Sequence, residues 1–383
     1  MNRLDLVVYK KINSQGGPYS REFAKELIKS GFVYVNTVKQ SKNATSIRDT
    51  EVVRVNLVEY LNFREKRRGK LVRESKEKVP LIYQDNNFIF LNKPSGICSH
   101  PAGRDKTSIL DYFYDIHRIK EFTVKTKNDY GLVHRLDKDT SGAMVLGREI
   151  VATTLLSELF SKHQIYKKYV ALCMYEPSSC KFAKHIKKCA QHTLGGMLNS
   201  CCCVREIEGY FDDGNGKISC KKGELVVSGW IRKKKKHMEF EVTPNVGKGK
   251  RAVTILKPLK LFRKEKVILM EVKILTGRTH QIRVVCKYLG IPILGDSKYK
   301  NKAALRLKKV LGIEKMMLHS SEIKFLTNLG VDNYKEDVIQ SNEYGCFEVR
   351  KLANILEYKA IAKLPTYYKA LLDLLGDRVD NVG

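Results

Sequence analysis

The residues best suited to chemistry lie in GLVHRLDKDTSGAMVLGRE, Gly131 to Glu149. His134, Arg135, Asp137, Lys138 and Asp139 crowd one short break between apolar runs, GLV before and AMVLG after. Asp139, Thr140 and Ser141 are turn and cap residues, and Gly142 permits an unusual backbone angle, so local structure accounts for those four. Asp137 is different. It stands between Arg135 and Lys138, two cations that suit an ionised carboxylate. An ionised carboxylate in a partly buried site can act as a nucleophile. The same residues also read as a buried structural salt bridge, and the loop alone leaves both readings open.

Three other segments combine charge or glycine with apolar flanks: LNKPSGICSHPAG (91–103), IYKKYVAL (165–172) and LTGRTHQIRVVCKYLGIPILGD (275–296). The last places Arg278, His280, Gln281 and Arg283 after a core strand. Two arginines with a hydrogen-bonding amide are poor core material and suit phosphate or a carboxylate. An arginine from here, paired with Asp137, would keep that carboxylate ionised and fixed.

Composition narrows the partner. The 383 residues carry 71 Lys+Arg against 41 Asp+Glu, a net charge of +30. Such an excess self-repels and suits a polyanionic partner, nucleic acid before anionic membrane. No run of 18 apolar residues exists, so no membrane span is expected. The opening MNRLDLVVYKKINSQ does not read as a secretory signal, because its apolar part is short. The ten cysteines read as reduced thiols, three of them being adjacent at Cys201–Cys203. Cys173, Cys180, Cys189, His185 and His192 join them without a clean Cys-x-x-Cys pair, so no metal is expected. A metal-dependent nuclease would need clustered carboxylates, and Asp137 and Asp139 have no acidic partner motif. These features place the protein in the cytoplasm or an RNA-containing organelle.

The elements that must position these residues follow from pattern. Residues 1–57 form a small separate unit: a helix in YSREFAKELIKSG with Ser20 as N-cap, then strands FVYVN and TEVVRVNL. Its Arg21, Lys25, Lys29, Lys39, Lys42 and Arg48 suit a phosphate backbone or a solvated face equally. Residues 58–79 are a basic linker. The main body, 80–383, begins with two short strands in LIYQDNNFIFLN, then a helix in TSILDYFYDIH. A helix over EIVATTLLSELFSKH and a strand at IYKKYVALC follow the charged break. Residues 174–228, with most of the cysteines and the turn GYFDDGNGK, read as an insertion. Strands WIRKKKKHMEFEV, AVTILKPLKLF and KVILMEVKIL come next, and LPTYYKALLDLLGD is a short amphipathic helix. The basic run beside Trp230 suits an RNA groove or a solvated hairpin tip.

Taken together, the motifs resemble those of the pseudouridine synthases that modify large-subunit ribosomal RNA and some transfer RNAs. HRLDKDTSG matches that family's HRLD, two variable residues, then TSG. NKPSG with His100-Pro101 resembles its first motif, KKYVAL its Lys-x-Tyr strand, LTGRTHQIRVV with LGIPILGD its last motif, and MMLHSSEIKF its closing strand. Two departures stand out: the long cysteine-rich stretch 174–228, and Cys286-Lys287 where the family commonly has His. Residues 1–57 separately resemble a small RNA-binding domain named after a ribosomal small-subunit protein.

The resemblance implies an α+β fold, a mixed and mostly antiparallel sheet with flanking helices, preceded by the small α/β domain. It implies a monomer isomerising uridines in ribosomal or transfer RNA without a cofactor, which agrees with the lack of any glycine-rich dinucleotide or phosphate loop. Asp137 would attack the uridine, at ribose or base. Arg135 would help extrude the nucleotide and fill its place. Tyr169 would stack on uracil and assist proton transfer, and Ile282 would pack under the base. Arg283 would pair with Asp137, with Arg278 as second choice. Lys93 and Lys167 would contact backbone phosphate, and His134 would be a structural hydrogen-bonder. An RNA-binding or ribosome-assembly protein that kept the fold without catalysis is the alternative, and the intact set Asp137, Tyr169 and Arg283 speaks against it.

Overall fold

The computed structural model describes residues 2–14, 21–63, 79–100, 108–109, 131–178, 180, 218–221, 224–233, 240–243 and 249–376. The expected helix at TSILDYFYDIH, the linker residues 64–78, most of the stretch 174–228 and the N-cap Ser20 fall outside these.

Near the N-terminus β1 (Asn2–Arg3) leads into α1 (Leu4–Ser14), which packs with α2 (Arg21–Lys29). Strands β2 (Val33–Val35), β3 (Val38–Gln40) and β5 (Val53–Val55) form one sheet in the order β3-β2-β5, while β4 (Ser46–Ile47) pairs with β1. Leu4, Val8, Ile12, Ala24, Leu27 and Ile28 recur at helical spacing and are fully buried in a core of their own. Buried Asp5 pairs with Arg21 at 2.9 Å and Arg3 at 3.2 Å, so part of this unit's basic charge is neutralised internally. The helix α1 is an addition to what the sequence pattern indicates.

The main body is built on one large sheet. In chain order its strands are β6 (Leu81–Gln84), β7 (Phe88–Lys93), β8 (Ser141–Gly147), β9 (Tyr166–Met174), β10 (Ile218–Lys221), β11 (Glu224–Lys233), β12 (Phe240–Thr243), β13 (Lys250–Phe262), β14 (Val267–Ile274), β15 (Leu318–Thr327), β16 (Val338–Asn342), β17 (Gly345–Leu352) and β18 (Ile355–Ala362). The order β10-β11-β13-β14-β9-β15-β18-β17-β16 runs through β9 and β15 near its centre. Among the described strands the ladders are antiparallel except β8 with β15, where Ser141 faces His319 and Gly142 faces Ser320. Helices α3 (Ile150–Ser161), α4 (Gln281–Tyr288), α5 (Lys302–Val310) and α6 (Thr366–Leu374) accompany it. The fold class is α+β with a mixed, mostly antiparallel sheet.

Side-chain alternation assigns each strand two faces. On β7 and β8, Ile89, Leu91, Met144 and Leu146 join one buried cluster, which includes Tyr169 and parts of α4 and α6. Phe88, Phe90, Ala143 and Val145 join the other, under α3 and against Phe325, Phe347 and Tyr358. Both faces being covered explains why SGAMVLG is buried throughout.

Some bounds differ from expectation. Glu224–Ser228, expected inside the insertion, belong to β11, and Leu225 to Ser228 pair with β13. WIRKKKKHMEFEV is two strands, not one: β11 and β12 pair as a hairpin, Trp230 opposite Thr243. Residues 338–362 form three antiparallel strands for which the sequence reading has no element.

Candidate active site

Three elements meet at one cavity of about 780 Å³, lined by the charged loop, by Lys167 and Tyr169 of β9, and by residues 277–283 after β14. The loop 133–140 ends where β8 begins. Gly142 has φ +115, and a Cβ there would lie 2.1 Å from the Ser320 carbonyl oxygen, so glycine is what lets β8 leave the loop against β15.

The NKPSG segment clamps this loop. Lys93 is fully buried, and its ammonium donates to the carbonyls of Pro94 at 2.8 Å, Ile97 at 2.7 Å and Lys138 at 3.0 Å. This corrects the expected phosphate contact: a cation enclosed by three carbonyls has no face left for RNA. Ser95 donates to the Asp139 carbonyl at 2.8 Å. The Gly96 N–H donates to the Lys138 carbonyl at 2.8 Å. Ser99 both donates to the Leu136 carbonyl and accepts from its N–H. Below the loop, Ser141 Oγ lies 2.9 Å from His319 Nδ1 and 3.3 Å from the Tyr367 hydroxyl on α6. The backbone around Asp137 is thus held from several sides.

Arg283 sits in the first turn of α4 and bridges two carboxylates. Its Nη1 donates to Asp137 Oδ2 at 2.8 Å. Its Nε and Nη2 donate to both oxygens of Asp296 at 2.7 and 2.9 Å. Asp296 also accepts from the N–H groups of Lys298 and Tyr299. Burial alone would lower the Arg283 pKa, but the hydrogen bonds and charges of Asp296 and Asp137 raise it. Burial would likewise raise the carboxyl of Asp296, yet Arg283 and two backbone N–H groups hold it below its ordinary value. In the sequence Asp296 carries no signal beyond that of an ordinary acidic residue after glycine in GIPILGD, and the reading of the motifs misses its role.

Arg278, the alternative partner, turns elsewhere: its Nε donates to the Arg251 carbonyl at 2.8 Å, though it still lines the cavity. His280 stands nearer, Nε2 3.7 Å from Asp137 Oδ2 and Nδ1 2.9 Å from the Tyr299 hydroxyl. Gln281, expected to suit phosphate or a carboxylate, is engaged inside the fold. Its side chain joins Thr276, the Arg278 N–H, the Val253 carbonyl and Thr254, tying the turn to β13. Ile282 is buried and lines the cavity, and Arg135 lines it from an exposed position. Cys286, the position that departs from the family pattern, lies on α4 and is fully buried in the core.

The remaining titratable groups are set by burial. Tyr169 is 6% exposed, and burial raises its phenol despite a hydrogen bond with Ser320. His134 accepts from the Val145 N–H at 3.0 Å, stacks on Phe160, and is lowered to about 3 by burial and the charge of Lys167. Lys167, expected to contact backbone phosphate, is 8% exposed and lines the cavity wall. Among the described residues no three His, Cys, Asp or Glu side chains group as metal ligands; Cys189 and Cys201–Cys203 lie outside those residues. No described helix is long and apolar enough to cross a membrane.

His319 makes one consequence measurable. It is fully buried, lowered to about 4 by burial, and stays neutral in the fold. The unfolded chain protonates it below about 6.5, so acid favours unfolding. Unfolding free energy should fall between pH 6.5 and about 4, by up to ~1.4 kcal/mol per pH unit from this residue. His319→Gln should show a shallower slope by that amount in urea titrations across the window; equal slopes would refute the assignment.

The cavity wall thus carries an aspartate held by an arginine that a second aspartate pairs, with a buried tyrosine beside it. The sequence profile of the RNA pseudouridylate synthase family matches residues 87–288. The ribosomal large subunit pseudouridine synthase D of Borreliella burgdorferi is 31% identical over 267 residues, 69% of this chain and 66% of that protein. An uncharacterized RNA pseudouridine synthase of Aquifex aeolicus is 27% identical over 299 residues, 77% of each chain. Among solved structures, human RNA pseudouridylate synthase domain containing 4 aligns with a TM-score of 0.46 and 22% identity, over 84% of this chain and 100% of that one. The chain belongs to the RNA pseudouridylate synthase family, whose members are isomerases.

Proposed function

We propose that the protein isomerises uridines to pseudouridines in structured RNA, with Asp137 as the nucleophile. The observation that carries this reading is the chain Asp296–Arg283–Asp137, which ends on a carboxylate at the cavity wall, 25% exposed. The reaction breaks the bond from C1′ to N1, joins C1′ to C5, and moves a proton from C5 to N1. It needs a nucleophile held in one place, and Arg283 supplies that holding. Asp137 attacks the ribose or the uracil ring. Arg135 fills the stack that the extruded nucleotide leaves. Ile282 packs under the base and Arg278, on the rim, meets the RNA. The net charge of +30 suits the polyanion.

Ribosomal RNA is the substrate we favour, since the Borreliella burgdorferi relative is named for the ribosomal large subunit. Residues 2–57, a compact basic unit, serve as an RNA-binding module. The test is to incubate the protein with unmodified transcripts of the large-subunit ribosomal RNA and transfer RNAs of its source and to map pseudouridine. Conversion at defined uridines supports the proposal, and none in any transcript overturns it.

Tyr169 refines the reading. Burial raises its phenol, so it stays protonated in the free protein, where it is placed to stack on the base and to take part in proton transfer only once the nucleotide is bound. Tyr169→Phe should keep RNA affinity while single-turnover rate drops about 10²-fold or more, the range for a lost proton-transfer group. An unchanged rate would leave Tyr169 a packing role alone.

A further inference from the structure

We propose that Lys167 neutralises the negative charge that enters the uracil ring during isomerisation, its ammonium donating to a uracil carbonyl oxygen. The proposal rests on the function set out above. On β9 residues 167 and 169 point to the same face, and both line the cavity that Asp137 lines. Lys168 between them points the other way and has its own carboxylate, Glu322, at 2.7 Å. Lys167 has no such partner: among the described residues no carboxylate pairs with its ammonium, which lies 5.6 Å from the centre of the Phe160 ring. A Cβ on Gly277 would lie 3.9 Å from Nζ, so the ammonium reaches the turn that carries Arg278 and His280.

A buried cation with no counter-charge among the described residues is costly to keep charged. Burial alone lowers it to about 8, with no carboxylate raising it back. Such a group is preorganised for charge that appears during the reaction. Exposed Arg135 and half-buried Arg278 on the rim are better placed for phosphate, which stays outside with the RNA backbone. What enters far enough to meet Lys167 is the base, beside Tyr169.

The chemistry balances on either route of attack. If Asp137 takes C1′, the C1′–N1 bond breaks and its electron pair enters the uracil ring. If Asp137 adds to the ring, the displaced electron pair moves onto a ring carbonyl oxygen. Lys167 forms no covalent bond and keeps its proton. When C1′ joins C5, the C5 proton is lost, N1 gains one, and the carbonyl becomes neutral again.

The test uses a transcript that the wild-type protein converts. Lys167→Met should lower the single-turnover rate about 10²- to 10³-fold, as for loss of one preorganised donor, with RNA affinity within about 2-fold, because no phosphate contact is lost. Added ethylammonium chloride should restore at least about one tenth of that loss to Lys167→Ala, relative to sodium chloride at equal ionic strength, by supplying the missing donor. If the methionine variant does not fold, Lys167→Gln takes its place. Weakened affinity at an unchanged rate, with a salt dependence shallower by about one ion, would overturn the proposal in favour of a phosphate contact. Unchanged rate and affinity would overturn it too, leaving Lys167 a filler of the wall. Both outcomes leave pseudouridine formation by the wild-type protein intact, so they are distinct from failure of the function itself.

Discussion

Asp137→Asn protein is expected to bind its RNA and make no detectable pseudouridine, a loss of at least about 10⁴-fold in single-turnover rate. The substitution preserves shape. The amide oxygen of the variant would still accept one hydrogen bond from Arg283 Nη1, as Asp137 Oδ2 does at 2.8 Å. Arg283 also keeps Asp296, so the buried guanidinium retains a counter-charge. The fold should therefore survive, with melting temperature within a few degrees of wild type. What is lost is the anionic oxygen to which the proposal assigns the attack. Liquid chromatography of nuclease-digested transcript gives the readout. Pseudouridine formed at the wild-type rate would end the nucleophile assignment and leave Asp137 the structural half of a salt bridge.

Asp296→Asn is expected to have the largest effect on stability, about 3–5 kcal/mol. The side chain of Asp296 is fully buried and that of Arg283 is 6% exposed. Removing the negative charge leaves a buried guanidinium whose remaining partner, Asp137, is 25% exposed. The amide nitrogen of the asparagine would also face the guanidinium N–H groups, donor against donor. Replacing both members separates the two functions of the pair. Arg283→Met with Asp296→Leu removes charge and counter-charge together, and such replacements of buried pairs are often neutral or stabilising. The double variant should recover most of the stability in chemical denaturation and none of the activity. Recovery of both would mean that Arg283 does not hold the nucleophile.

Much of the site could be read from residue types, because its chemistry is written in residues that are poor at anything else there. A carboxylate between two cations, and two arginines after a core strand, point to a pairing of Asp137 with one of those arginines; the family resemblance favours Arg283, which the structure shows at 2.8 Å. The lysines mislead for a general reason. Lys is almost never fully buried, so Lys93 and Lys167 read as phosphate contacts, whereas one is enclosed by three carbonyls and the other lines a cavity. Asp296 lies 13 residues from Arg283, and chain folding, not spacing, brings the two together. The strands β17 and β18 alternate buried and half-buried positions over much of their length. The motifs carrying the family resemblance end before them, and nothing in those motifs draws attention there.

The tie from Ser141 to Tyr367 spans 226 residues, and His319 enters it at 178. Such distant contacts close late in folding. In the cell they also close late in synthesis: at ~5–20 residues per second the charged loop is made about 10–45 s before the helix that fastens it. A chain cut short before Thr366 keeps Asp137, Arg283, Asp296 and the Ser141–His319 contact, and loses the Tyr367 hydroxyl from beneath the loop. Among the described contacts of the loop, the one to Tyr367 therefore closes last in synthesis.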